Sequence, residues 1–319
     1  MQVKFFSPDK EYQLHRKEYL KAFNEVRSSG RLVGTGHKEI LEFEKAFAEY
    51  VGVKYAIGVS SGTDAIMMSV KYLKPKKVLV PYYTFKATIS AVMQAGAKPI
   101  FNGKADVGIV AHIAGEIFPK PKTKIIIEDS CQAIGAVKNP KTFAQVWSFY
   151  PAKILGIFGD AAAITTNDKK FYEWVKEYQN HFKETNKDWG GNHRLDNVIA
   201  KELLIKLKRI DKTLDRRKEI AEMYLKGLKD LPLTLPNNTP NRVFQDFIIN
   251  VGDKRDKLYD YLKANGVETL KNEYSFPIPK SSESIKYEKS TLRLPINEVL
   301  EDEEVLYVIE EIKEFYGKL

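Results

Sequence analysis

Lys153 lies in the run Trp147-Ser-Phe-Tyr-Pro-Ala-Lys-Ile-Leu-Gly156, after an apolar-aromatic stretch and a proline and ahead of Gly159-Asp160. Upstream stand Ser148, a small hydroxyl donor, and Asp129, which follows the apolar run Ile125-Ile126-Ile127. An amine, a carboxylate at a strand end and small hydroxyls form the donor set that pyridoxal phosphate requires. The aldehyde needs a Schiff-base lysine, the pyridine nitrogen an acid, and the phosphate hydrogen-bond donors.

Other segments supply parts for the same chemistry. Ser60-Ser-Gly-Thr-Asp64 is a turn between a strand and a helix. Its free amides at the positive helix end suit a phosphate, although the same residues would also make an ordinary N-cap. Asp129, in Ile125-Ile-Ile-Glu-Asp-Ser-Cys-Gln132, ends a strand where α/β sheets bind ligands. A carboxylate there raises the pKa of a ring nitrogen; alternatively, Asp129 caps a helix and Gln132 is a surface residue. As a ligand contact, Gln132 reaches the ring's phenolic oxygen. Phe85, in Pro81-Tyr-Tyr-Thr-Phe-Lys-Ala-Thr88, offers a flat face for stacking or packs as core. His112 reads as a packed, hydrogen-bonded histidine.

The elements that must position these residues alternate. Helical spacing covers 37–50, ending near Gly52. A strand over 55–59 leads through the Ser-Gly-Thr turn to a helix over 65–73. Strands follow at 77–80, 98–101, 107–113 and 124–127, with a helix over 84–95. This alternation predicts a parallel sheet covered by helices. A long amphipathic helical region runs over 197–228, then a turn-rich stretch over 231–240. The end reads as α+β, with a strand at 244–251 and helices at 255–264 and 301–316. The expected division is a large cofactor-binding domain over 1–215 and a small C-terminal domain over 216–319.

Composition narrows the function classes. The 319 residues allow a large domain and a smaller one. No run of apolar residues is long enough to span a membrane, and the N-terminus lacks the apolar core of a signal peptide. The single cysteine, Cys131, excludes an intramolecular disulfide and fits a reducing cytoplasm. The net charge of +9 is dispersed among acids, as in Lys208-Arg-Ile-Asp-Lys212 and Asp215-Arg-Arg-Lys-Glu219. Such runs are solvated helix faces, and no nucleic-acid reader motif is present. A basic balance suits an anionic small molecule.

In order and spacing, these segments resemble the DegT/StrS-type sugar aminotransferases, pyridoxal-phosphate enzymes of fold type I. The resemblance runs through Glu42-Phe-Glu-Lys-Ala-Phe47, Ser60-Ser-Gly-Thr-Asp-Ala65, Pro81–Thr88, Ile127-Glu-Asp-Ser-Cys-Gln-Ala133, Ser148–Lys153, Gly159-Asp160 and Thr165-Thr-Asn-Asp168. It continues in Gly191-Asn-His-Arg-Leu-Asp196 and Leu292-Arg-Leu-Pro295. The resemblance implies Lys153 as the Schiff-base and proton-transfer lysine, Asp129 at the pyridine nitrogen, Gln132 at the ring and Phe85 stacked on it. Gly62, Thr63 and Ser148 become phosphate contacts, and Asn192 reaches the phosphate from the other subunit of a homodimer. No metal is implied. The implied reaction moves an amino group from L-glutamate to a nucleotide-linked 3-keto, or 4-keto, deoxyhexose. The presence of Lys153 sets the chain apart from a dehydratase branch in which that lysine is replaced. The competing reading is a degenerate homologue that binds pyridoxal phosphate or a sugar nucleotide as a sensor without turnover.

The sequence departs from the family in two places. The segments 102–109 and 114–123 are short, and a parallel crossover needs about a dozen residues, usually with a helix. A covering helix is therefore expected to be missing or reduced. The Tyr274-Ser-Phe-Pro-Ile-Pro-Lys280 stretch lacks the histidine found near it in the family, which puts sugar recognition in question. Ala161-Ala162 stand where glycine is common, and tighten the loop after Asp160.

Overall fold

A computed structural model describes residues 1–272 and 281–318; the Tyr274–Lys280 stretch therefore lies outside the described residues. Helices α1 (Pro8–Ser29) and α2 (Lys38–Val51) precede strand β1 (Tyr55–Val59). Then come α3 (Gly62–Leu73), β2 (Lys77–Leu79), α4 (Lys86–Gln94), β3 (Lys98–Ile100), β4 (Val107–Ala111), β5 (Ile125–Asp129), β6 (Ala144–Ser148) and β7 (Ala162–Thr166). The order β1-β7-β6-β5-β4-β2-β3 forms one seven-stranded sheet. It is parallel from β3 to β6, and β7 runs antiparallel to both β6 and β1. This is the mainly parallel mixed sheet expected of the fold.

Alternating strand residues feed two cores. Ile57, Val59, Val146 and Ile164 pack with Ile66 and Met68 of α3, Val92 of α4 and Phe171 of α5 (Lys169–Tyr178). Ala56, Trp147 and Ala163 face the other way, against Phe43 and Phe47 of α2 and Leu203 of α6 (Asn197–Leu207). The sheet is thus sandwiched between helix layers, and the carboxyl ends of β4, β5 and β6 open on one side.

A third core forms beyond it. Helix α7 (Ile210–Leu228) leads to β8 (Phe247–Asn250), α8 (Arg255–Ala264), β9 (Leu270–Lys271), α9 (Ser282–Ser290), β10 (Thr291–Leu294) and α10 (Asp302–Gly317). The second sheet has the order β8-β10-β9. The region read as one long helix is two, broken at Lys208-Arg209. The break turns the chain from one core to the next: Ile210 packs under the large sheet, whereas Ile220 and Tyr224 pack with the small one. Val3 joins that small core and bridges Val267, so the first residues of the chain return to its last portion.

The expected loss of a crossover helix is observed. Between β4 and β5 there is a single 3-10 turn, Ile113–Gly115, followed by an extended strap. β4 ends at Ala111 rather than 113 because this turn begins at His112. The strap lies against the sheet: a Cβ on Gly108 would come within 2.7 Å of both Pro121 Cγ and Thr123 Oγ1. It is pinned by Lys120, whose Nζ is 2.6 Å from Oε1 of the fully buried Glu128. The parallel register from Val107↔Ile125 to Ala111↔Asp129 is kept without a helix to bridge it.

Candidate active site

A cavity of about 540 Å³ opens at the carboxyl ends of these strands. Lys153, Asp129, Gln132, Phe85, Gly62, Thr63 and Ser148 all border it. Seven of the eight residues singled out from the sequence therefore meet in one place, although they come from four separate segments. The eighth, Asn192, is exposed and is not among the residues bordering the cavity. It pairs with Asn180 through an isolated bridge.

Lys153 sits in a tight turn after β6, where its backbone N–H donates to Tyr150 O at 2.8 Å. Gly156 makes that turn possible, since a Cβ there would lie 2.1 Å from Pro151 O. Gln245 grips the turn from the C-terminal portion of the chain. Its Oε1 accepts the Ile154 N–H at 3.1 Å, and its Nε2 donates to Ala152 O at 2.8 Å. The buried Arg217 guanidinium holds the Gln245 backbone, donating to Phe244 O at 3.0 Å and Gln245 O at 3.3 Å. Neither residue was foreseen from sequence. Gln245 falls within the stretch read as a strand over 244–251 and lies just before the observed β8, and no local pattern links it to a loop 91 positions away.

Asp129 is buried at the end of β5. Its Oδ2 accepts a hydrogen bond from Thr88 Oγ1 at 2.7 Å, and its Oδ1 accepts the Cys131 N–H at 3.3 Å. Burial pushes the Cys131 thiol up, and the neighbouring Asp129 charge adds to this while Lys153 opposes it. Cys131 is thus a protonated wall residue. Gln132 Oε1 accepts the Ala114 N–H at 2.7 Å, which fixes the amide's orientation and makes its NH2 the other end. The shortened crossover therefore has a role here, because Ala114 takes a left-handed φ of 55° to present that N–H. His112 is buried and held neutral: burial lowers its pKa, while Glu128 and Asp129 oppose the shift. Its Nδ1 accepts the Phe118 N–H at 3.1 Å, so the proton is on Nε2.

The Ser-Gly-Thr turn starts α3, with Ser61 Oγ accepting the Asp64 N–H at 3.1 Å. Both the N-cap and the phosphate readings of this turn are therefore compatible with its geometry. Burial works against the Asp64 charge, but hydrogen bonds from His193, Ser60 and Ser61 outweigh it and hold the carboxyl below its ordinary range. That spends the Ser60 and Ser61 hydroxyls on Asp64, at 2.6 and 2.8 Å. A phosphate would then meet the amides of Gly62 and Thr63 and the Ser148 hydroxyl. Gly62 leaves the room: a Cβ there would come within 3.2 Å of Cys131 Sγ and 3.5 Å of Ser148 Cβ.

The residues present therefore fit pyridoxal phosphate. A lysine, a hydrogen-bonded buried carboxylate, an oriented amide, an aromatic face and a helix N-terminus share one cavity of suitable size. The mainly parallel sheet with its second α+β unit, and a lysine and a carboxylate in the cleft beside it, define an aminotransferase of pyridoxal-phosphate fold type I.

Comparison with known proteins agrees. Residues 13–113 and 119–313 match the DegT/DnrJ/EryC1/StrS aminotransferase family, and this chain belongs to it. The break in that match, at 114–118, falls in the shortened crossover. The chain is 31% identical over 354 residues to the dTDP-3-amino-3,6-dideoxy-alpha-D-galactopyranose transaminase of Aneurinibacillus thermoaerophilus, covering 94% of this chain and 96% of that protein. It is 28% identical over 375 residues to a pleiotropic regulatory protein of Geobacillus stearothermophilus, covering 99% of each. The crystal structure of DesV from Streptomyces venezuelae superposes with a TM-score of 0.90 at 28% identity, covering 100% of this chain and 99% of that one.

Proposed function

We propose that the chain is a pyridoxal-phosphate-dependent sugar aminotransferase. It takes an amino group from L-glutamate and delivers it to a nucleotide-linked keto deoxyhexose, at C3 in preference to C4. The observation that carries this reading is the convergence of Lys153, Asp129, Gln132 and Ser148 with the Gly62-Thr63 turn on one cavity. The name of the Aneurinibacillus relative, a 3-amino sugar transaminase, supports the 3-keto choice.

When bound, the cofactor supplies an electron sink for breaking and making bonds at an amine-bearing carbon. The chain's own residues do the rest. Lys153 would hold the aldehyde through its Nζ, and the same amine would accept and return the proton that moves during transfer. Asp129 holds a proton on the ring nitrogen. Gln132 donates to the ring oxygen, and Phe85 covers one face. Gly62, Thr63 and Ser148 hold the phosphate.

The reading extends to assembly. The exposed Asn192 acts in the site of a second copy, so the enzyme works as a homodimer with shared sites in the cytoplasm. Among the described residues, no helix is long and apolar enough to cross a membrane. The large unit takes residues 1–215 and the small unit 216–319, with Val3 packed on the latter.

The test is spectroscopic. Purified protein loaded with pyridoxal phosphate should show a band near the visible edge. That band should bleach with L-glutamate and return with a nucleotide-linked keto sugar, and Lys153→Ala should abolish turnover. Steady turnover by Lys153→Ala would sink the assignment. The name of the Geobacillus relative favours a second reading, binding without turnover. A loaded protein whose band glutamate leaves untouched would establish that reading instead.

A further inference from the structure

Asp129 does not stand alone behind the cavity. Thr88 Oγ1 donates to its Oδ2 at 2.7 Å, and Thr84 Oγ1 lies 2.8 Å from Thr88 Oγ1. Both threonines are buried, Thr84 in the turn before α4 and Thr88 in the first turn of α4. A hydroxyl has one proton to give. Thr88 gives its proton to Asp129, so it must accept from Thr84. The chain therefore has one direction, from Thr84 O–H to Thr88 O–H to the carboxylate, and each bond strengthens the next.

We propose that Thr88, backed by Thr84, is a positioning residue that keeps Asp129 ionised opposite the cofactor ring, so that the shared proton stays on the ring nitrogen. This rests on the cofactor reading above. The physical need is plain. A buried carboxylate facing a ring N–H can settle as a charged pair or, after proton transfer, as a neutral one. Burial favours the neutral pair, and a neutral ring is a poor electron sink. A hydroxyl donating to the carboxylate stabilises its anionic form more than its neutral one. The Cys131 N–H, at 3.3 Å, is the weaker of the two donors. The other titratable groups around Asp129 are not substitutes: His112 is neutral, Cys131 keeps its proton, Glu128 is paired with Lys120, and Lys153 is committed to the cofactor.

The proposal has a readout apart from activity. A positive ring nitrogen disfavours a second positive charge on the Lys153 imine, across the same ring. Losing the ring charge should therefore make that imine harder to deprotonate. The experiment loads wild type, Thr88→Val, Thr88→Ser and Thr84→Val with pyridoxal phosphate and titrates the visible band with pH. In Thr88→Val the midpoint should rise by about one unit, and kcat should fall about tenfold with KM little changed. Thr88→Ser should restore both, and Thr84→Val should move the midpoint in the same direction by less. A loaded Thr88→Val with the wild-type midpoint overturns the proposal. If Thr88→Val fails to fold or load, an unchanged midpoint in Thr84→Val overturns it equally. If borohydride fixes no cofactor to Lys153 in wild type, the cofactor reading itself falls, a result that no threonine variant can produce.

Discussion

Gln245 holds the backbone on both sides of Lys153, accepting from Ile154 N–H at 3.1 Å and donating to Ala152 O at 2.8 Å. The reactive lysine is thus aimed by a residue from the far end of the chain, which is itself anchored by Arg217. Gln245→Ala leaves a buried N–H at Ile154 unpaired and should cost about 2 kcal/mol of stability. Looser aim of the amine should also lower kcat by about ten- to a hundredfold. Gln245→Glu keeps the acceptor for Ile154 but sets a carboxylate oxygen against Ala152 O in a buried site, so its defect should be at least as large. Denaturant unfolding and steady-state kinetics read both effects; wild-type values in Gln245→Ala would show that the turn holds itself.

Gly115 is the tightest point of the shortened crossover. Its φ is +81°, and a Cβ there would lie 1.7 Å from Val243 O, a backbone atom that cannot swing aside. Gly115→Ala should therefore cost about 3 kcal/mol. It should also weaken cofactor affinity, because the neighbouring Ala114 N–H orients Gln132. Gly30→Ala is the control. It too has a positive φ, +70°, but nothing lies within 4 Å of a Cβ there, so about 1 kcal/mol is expected. Equal losses at the two positions would mean that backbone strain alone, and not the contact with Val243, sets the cost.

How much of this was legible in the sequence follows from the distance over which each interaction acts. β1, α2, α3 and α8 were readable because their apolar spacing and glycine or serine ends are local. α1 was not: of its 22 residues only Glu11, Tyr19, Ala22 and Val26 are buried, too thin a stripe to stand out from its charges. β7, Ala-Ala-Ile-Thr-Thr, carries little apolar bulk, and its place inside the sheet, next to the edge, comes from pairing with β1 and β6. Within the site, Lys153, Asp129 and the Ser-Gly-Thr turn were legible because their chemistry is carried by short motifs at strand ends. Thr88 was visible as a letter in a motif but not as a donor to Asp129, because that contact spans 41 positions. Gln245 gave no signal at all.

Lys120 and Glu128 tie the proline strap to the sheet. Glu128 is 1% exposed, and its Oε2 has no hydrogen-bond partner among the described residues, so the charge depends on Lys120. Lys120→Met should destabilise the protein by about 3 kcal/mol by leaving a buried carboxylate unpaired. Adding Glu128→Met should recover much of that loss, since an apolar pair removes the stranded charge. The double-mutant cycle decides the point. Additive losses would mean that the strap is held by Phe118, Pro119 and Pro121 and the ion pair is incidental.

Glu202 gives the protein a pH dependence of an unusual sign. It lies in α6 behind the Lys153 turn, and its Oε1 accepts the Phe158 N–H at 3.1 Å. Burial raises its pKa to about 7, against the pull of Lys206 and of that N–H, with Glu11 adding a smaller push upwards. A folded-state pKa above the unfolded one means that the folded chain binds the extra proton between the ordinary glutamate range and about 7. Stability is therefore highest at the acidic side of that window and falls as pH rises through it. The loss amounts to about 3 kcal/mol. Glu202→Gln keeps the acceptor for Phe158 and cannot ionise, so its unfolding free energy should vary less across the window and exceed that of wild type above neutral pH. Parallel stability profiles for the two proteins from pH about 5 to about 8 would show that Glu202 is already ionised in the folded state.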